Sequence, residues 1–108
     1  MAEGFTHIVI LVTTDSAAAA EQLAGRLVET GKVACVNIVP AVDSVFRWQG
    51  AVEREREALL VVKARAARLD EVVAMVRAHH PYEVPEVIAL PIIGGNPDYL
   101  AWLDTATP

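Results

Sequence analysis

The sequence predicts an α+β domain of β-α-β-β-α-β order with a short helix after the last strand. Three observations carry this expectation. Ile8 to Val12, Ala58 to Val62 and Val87 to Ile93 are short runs, apolar at both odd and even positions, as buried strands are. Two intervening segments repeat apolar residues every three or four positions, the spacing of a helix with one buried stripe. Glycines, prolines and small polar residues stand at the joints between them. The 108 residues are expected to form a single domain, 1–108, long enough to close one core.

Residues 5–13 (FTHIVILVT) read as the first strand, β-branched and apolar. Thr14, Asp15 and Ser16 offer N-cap oxygens to a helix over AAAAEQLAGRLVET, with Ala20, Leu23, Leu27 and Val28 on its stripe. Gly31 stands where a left-handed C-cap belongs. Residues 33–39 (VACVNIV) form a second buried strand, and Pro40 either ends it or marks a bulge or edge. A long β-hairpin follows, with Val45 to Trp48 and Val52 to Lys63 as arms and Gln49-Gly50 near its turn. Residues 66–80 make the second helix, carrying Leu69, Val73, Val76 and His80 on one stripe. Pro81 disfavours helical geometry for His80 and so ends it. The last strand is 86–93 (EVIALPII). Asn96 then caps a short C-terminal helix with Pro97 at its first position.

With right-handed crossovers this order is the ferredoxin-like, split β-α-β arrangement. Its two helices cover one face of an antiparallel sheet. A sheet wet on its other face alternates apolar and polar residues, and these strands do not. Leu59 to Val62 and Ile8 to Val12 are apolar on both faces, and leaving the second face in water forgoes about 25 cal/mol for each Å² of apolar area. A symmetric homo-oligomer that covers the second face is the expected resolution.

Composition narrows the function classes. A net charge of −5 opposes nucleic-acid and anionic-membrane partners, and no run approaches the roughly 20 apolar residues that span a bilayer. The opening MAEGFTH lacks the basic and apolar regions of a secretory signal. Cys35 is the only cysteine, which rules out an internal disulfide and suits a reducing cytoplasm. No nucleophile–base–orienter set, cofactor loop or catalytic carboxylate pair is legible, so neither an enzyme nor an organic cofactor is expected.

The stretch AHHPYEVPEV (78–87) is the densest in chemistry. His79 and His80 stand about 100° apart on a helix and cannot share one metal. His80, on the stripe, reads first as a helix-ending histidine bonded to backbone or a glutamate. Along Glu53-Arg54-Glu55-Arg56-Glu57 the glutamates share one face and the arginines the other. The outer residues read as a solvated arm paired with opposite charges across the strands. Glu57 borders the apolar run, and a half-buried carboxylate there requires a partner. A weak histidine-plus-carboxylate site for Cu(II), Zn(II) or Ni(II) stays open. Trp48, near the hairpin tip, has little core of its own, and an intersubunit contact accounts for it.

The runs ACVNIVPAVDSVFRWQG (34–50), HPYEVPEVIALPI (80–92) and GNPDYLAWL (95–103), with Glu57 and Lys63 between them, resemble the CutA, or divalent-cation-tolerance, family. The resemblance covers nearly the whole chain. It implies a ferredoxin-like subunit, a tightly packed homotrimer that is cytoplasmic in bacteria, and a role in tolerance of copper and other divalent metals. It also implies His80 and Glu57 as metal ligands. A third family position, cysteine in some members, is Val12 here, which removes a soft ligand. An intersubunit cleft would comprise Cys35, Asn37, Trp48, Lys63, Tyr82, Glu86, Tyr99 and Trp102. Phe46 replaces the usual tyrosine, and Ala64 the threonine that commonly follows the lysine. The alternative reading is a small-molecule-sensing trimer of the PII type, using the same clefts.

Overall fold

A computed structural model describes residues 4–108. Met1–Glu3, which begin the MAEGFTH stretch, lie outside the described residues. The elements run β1 (His7–Thr14), α1 (Ala17–Glu29), β2 (Cys35–Trp48), β3 (Ala51–Arg65), a 3₁₀ turn (Ala66–Arg68), α2 (Leu69–His79), β4 (Val87–Pro91) and α3 (Pro97–Ala106). One four-stranded antiparallel sheet has the order β2-β3-β1-β4, as the split β-α-β arrangement requires. Among the described residues no helix is long and apolar enough to cross a membrane.

The core lies between the sheet and helices α1 and α2. From β1 it takes Ile8, Ile10 and Val12, and from β3 Ala58, Leu60, Val62 and Ala64. From the helices it takes Ala20, Leu23, Ala24, Leu27, Val72 and Val76. Val28, expected on the α1 stripe, is 44% exposed, because the helix packs through Leu23 and Leu27 and turns Val28 about 100° away. The Ser16 side chain accepts from the Ala19 N–H and starts α1, and Gly31 at φ +76° closes it.

The largest departure from the expected elements is β2. It runs unbroken through Pro40, with a register shift between Val39 and Val42, and joins the hairpin arm in a single strand. Proline lacks the N–H for a ladder bond, and β2 stands at the sheet edge, where that donor has no strand to pair with. Trp48 pairs with Ala51, so Gln49 (φ 50°) and Gly50 (φ 82°) form a two-residue turn with both residues in the left-handed region. The second helix starts later than 66, after the 3₁₀ turn. Its buried stripe is Val72 and Val76, while Val73 is half-buried. His80 is extended (φ −90°, ψ 139°) ahead of Pro81 and belongs to no helix. Asn96 caps α3 through the Asp98 N–H, with Pro97 in its first turn.

Candidate functional site

Where α2 ends, the chain must turn back to the sheet, and His80 organises that exit. Its Nε2 lies 2.6 Å from the Thr13 carbonyl, and its Nδ1 accepts from the Tyr82 N–H at 3.0 Å. A carbonyl only accepts and an N–H only donates, so the ring is the Nε2–H tautomer with both nitrogens engaged. The His80 and Tyr82 rings lie 4.8 Å apart between centroids. Tyr82 then donates its hydroxyl to Glu57 Oε2 at 2.8 Å.

Glu57 is 7% exposed. A carboxylate so desolvated needs a donor, and Tyr82 supplies one. Burial first, then the Glu57 carboxylate, raises the Tyr82 pKa well above the ordinary phenol range. Glu57 and His80, the two expected metal ligands, therefore share an environment through Tyr82, which bonds to both. Among the described residues, no three His, Cys, Asp or Glu side chains converge as a metal-holding group.

Glu57 opens onto a concave cavity of about 890 Å³ on the sheet face opposite the helices. Six carboxylates line it, from Asp15, Glu53, Glu55, Glu57, Glu83 and Glu86, together with Phe46 and Trp48. No lysine or arginine does. Such a concentration of one sign raises the local concentration of cations. Glu53 and Glu55 do not pair with opposite charges across the strands. Their partners in the ladder are Phe46 and Ser44, and the cross-strand ion pair of this hairpin is Arg56 with Asp43 at 3.3 Å.

The eight expected cleft residues fall into two groups within one subunit. Trp48, Tyr82 and Glu86 line the acidic cavity. Cys35, Asn37, Lys63, Tyr99 and Trp102 gather at the far end of β2 and β3. Cys35 pairs with Lys63 in the ladder, and its Sγ lies 4.0 Å from Asn37 Oδ1. Burial and the neighbouring Cys35 raise the Tyr99 pKa, and the Tyr99 and Trp102 rings are 5.4 Å apart. Sequence reasoning placed Glu53 and Glu55 on the Glu57 face but left them in solvent. It missed Asp15 and Glu83, because only the fold brings the ends of β1 and α2 beside the hairpin. It also missed the 2.8 Å contact of His7 Nε2 with Asp104, which ties α3 to the start of β1 across 97 positions of sequence.

Comparison with known proteins gives one family. The sequence model of the CutA1 divalent ion tolerance protein matches residues 8–106. The chain is 48% identical over 100 residues to the chloroplastic protein CutA 1 of Oryza sativa, covering 93% of this chain and 56% of that protein. It is 47% identical over 95 residues to the divalent-cation tolerance protein CutA of Thermus thermophilus, covering 88% and 92%. The chain thus spans little more than half the length of the plant relative and nearly all of the bacterial one. The crystal structure of CutA1 from Oryza sativa superposes with a TM-score of 0.93 at 46% identity, covering 96% of this chain and 95% of that one. The Thermus thermophilus structure gives 0.92 at 45% identity, covering 94% and 99%.

Proposed function

The chain belongs to the CutA1 divalent ion tolerance family, and from that premise we propose that it is a non-enzymatic, cytoplasmic homotrimer that binds divalent cations weakly and contributes to metal tolerance. The observation that supports this reading best is the cavity around Glu57: six carboxylates, no cationic side chain, and one glutamate buried and oriented by a tyrosine. An oxygen-rich, solvent-open donor set suits a divalent ion held loosely.

His80 fits the same ion only if it exchanges a hydrogen bond for a metal bond, since both its nitrogens are engaged. That exchange is the physical reason for low affinity, and Val12 supplies no thiolate to offset it. Cu(II), which suits imidazole, would gain most from His80. Harder ions would rest on Glu57 and the carboxylates that line the cavity with it. Titration calorimetry with Cu(II), Zn(II) and Ni(II) on the wild type, His80→Ala and Glu57→Gln tests the assignment. Loss of affinity is expected in both variants, and unchanged isotherms would remove these residues from the site.

Trimer formation covers the open sheet face, where Leu11, Leu59 and Val61 have no helix above them and Ile88 and Leu90 are half exposed. One observation favours a second reading, a small-molecule-sensing trimer. Lys63 is half-buried beside Cys35 and Asn37, and among the described residues no carboxylate pairs with it. Such an ammonium suits an anionic ligand. Thermal shifts with nucleotides and carboxylic acids at millimolar concentration, lost in Lys63→Met, would favour it.

A further inference from the structure

Glu57 is the inner end of a row. Glu53, Glu55 and Glu57 stand on one side of the hairpin, opposite Phe46, Ser44 and Val42 of β2. Alternate residues of a strand are about 7 Å apart, so this acidic side is a ladder of carboxylates and not a tight cluster. Asp15, Glu83 and Glu86 line the same cavity, yet among the described residues no three acidic, histidine or cysteine side chains converge. A single small ion cannot draw on the whole row at once. An extended cation with several charges can.

Two further observations say what kind of cation fits. The first is an open oxygen on a buried group. Glu57 is 7% exposed and gives its Oε2 to Tyr82, while its Oε1 has no hydrogen-bond partner among the described residues. No sealed side-chain nitrogen or oxygen among them lacks a partner, so Oε1 is reached from the cavity that Glu57 lines. A carboxylate oxygen so placed calls for a donor or a cation. The second is aromatic. Phe46 and Trp48, 39% and 45% exposed, line the outer end of the cavity. Their rings offer no lone pair to a metal ion, but they attract an ammonium through their faces and cover the methylenes attached to it. At about 890 Å³ the cavity also has the size of an organic-ligand site.

We propose that the acidic cavity binds a linear polyamine: one terminal ammonium meets Glu57 Oε1, the next charges meet Glu55 and Glu53, and the outer end lies against Phe46 and Trp48. With bonds of about 1.5 Å, an extended four-carbon spacer sets two nitrogens about 6 Å apart, close to the step of the carboxylate ladder. Every contact comes from one chain. The site goes beyond the metal reading and stands without it, because the ladder and the two rings lie apart from His80. The two kinds of cation meet only at Glu57, where they compete.

Titration calorimetry of the full chain with spermidine, at fixed ionic strength, tests this. Glu53→Gln/Glu55→Gln should weaken binding about tenfold, the sum of two modest ion pairs. Phe46→Leu/Trp48→Leu leaves every charge in place and should weaken it about threefold or more. Glu21→Gln/Glu29→Gln removes the same charge from exposed positions on α1 and should leave affinity within about twofold, which separates this site from diffuse attraction to an acidic protein. A flat wild-type isotherm, an affinity that neither cavity variant lowers, or an equal loss in the α1 variant overturns the proposal. Cu(II), titrated separately, distinguishes the two readings. Uptake of spermidine without Cu(II) keeps this site and rejects the metal reading, and uptake of Cu(II) without spermidine rejects the polyamine site alone.

Discussion

The two faces of the central strands are nearly equal in sequence and opposite in fate. On β1, Ile8, Ile10 and Val12 face the helices and are 3%, 0% and 0% exposed. Val9 and Leu11, with the same kind of side chain, face the other way and stay half-buried. On β3, Leu60 and Val62 are sealed while Leu59 and Val61 are not. Side-chain hydropathy therefore does not distinguish the faces. What distinguishes them is where the two crossover helices go, and right-handed crossovers put both on one side. The open face continues into the acidic side of the hairpin, so its apolar centre and charged rim form one surface, composed as protein interfaces are.

Substitutions on the two faces test that contrast. Leu60→Ala, in the sealed layer, is expected to cost about 3 kcal/mol in denaturant unfolding, because the packed helices cannot collapse into the space left. Leu11→Lys, on the open face, leaves an isolated subunit folded, since the lysine stem lies along the sheet and its ammonium reaches water. It should nevertheless weaken self-association at least tenfold, about 1.4 kcal/mol, by analytical ultracentrifugation. An unaltered association constant would mean that the open face is wet in the working protein.

Tyr82→Phe acts where the chain passes from one face to the other. Removing the donor to Glu57 should cost about 1 kcal/mol near neutral pH. The folded-state phenol titrates above its free value of 10.0, raised by burial and then by Glu57. A raised acid of this kind stabilises fully below pH 10, and that contribution declines as pH rises from the free value toward the folded one. Thermal unfolding between pH 8.5 and 11.5 should show a shallower decline for Tyr82→Phe than for wild type. The smallest effect is expected at Ile88, 52% exposed at the edge of the open face. Ile88→Thr should shift the stability of a lone subunit by about 0.5 kcal/mol or less. A larger shift that grows with protein concentration would place Ile88 under a second copy.

Much of this architecture was legible because it depends on short-range chemistry. Ser16, Gly31, Pro81, Asn96 and Pro97 restrict backbone angles or satisfy end groups within a few residues, and each stands where the chain starts or stops an element. The continuity of β2 through Pro40 was not legible, since a proline ends a strand or rides along its edge according to which strand lies beside it. The candidate site divides in the same way. Glu57 declared itself by bordering an apolar run, and the parity of Glu53 and Glu55 was visible in the sequence.

The sequence by itself determined the order of elements, their local starts and stops, and the excess of apolar surface that two helices cannot cover. These follow from propensities and periodicities that each residue carries with it. Only the tertiary structure decided that His80 spends both ring nitrogens on Thr13 and Tyr82, that Tyr82 reaches Glu57, and that Asp15 and Glu83 join the hairpin's glutamates around one cavity. Hydrogen bonds act over about 3 Å, and the sequence spacings here are 67 positions from Thr13 to His80 and 25 from Glu57 to Tyr82. Contacts so distant along the chain exist only once the sheet register has brought them together.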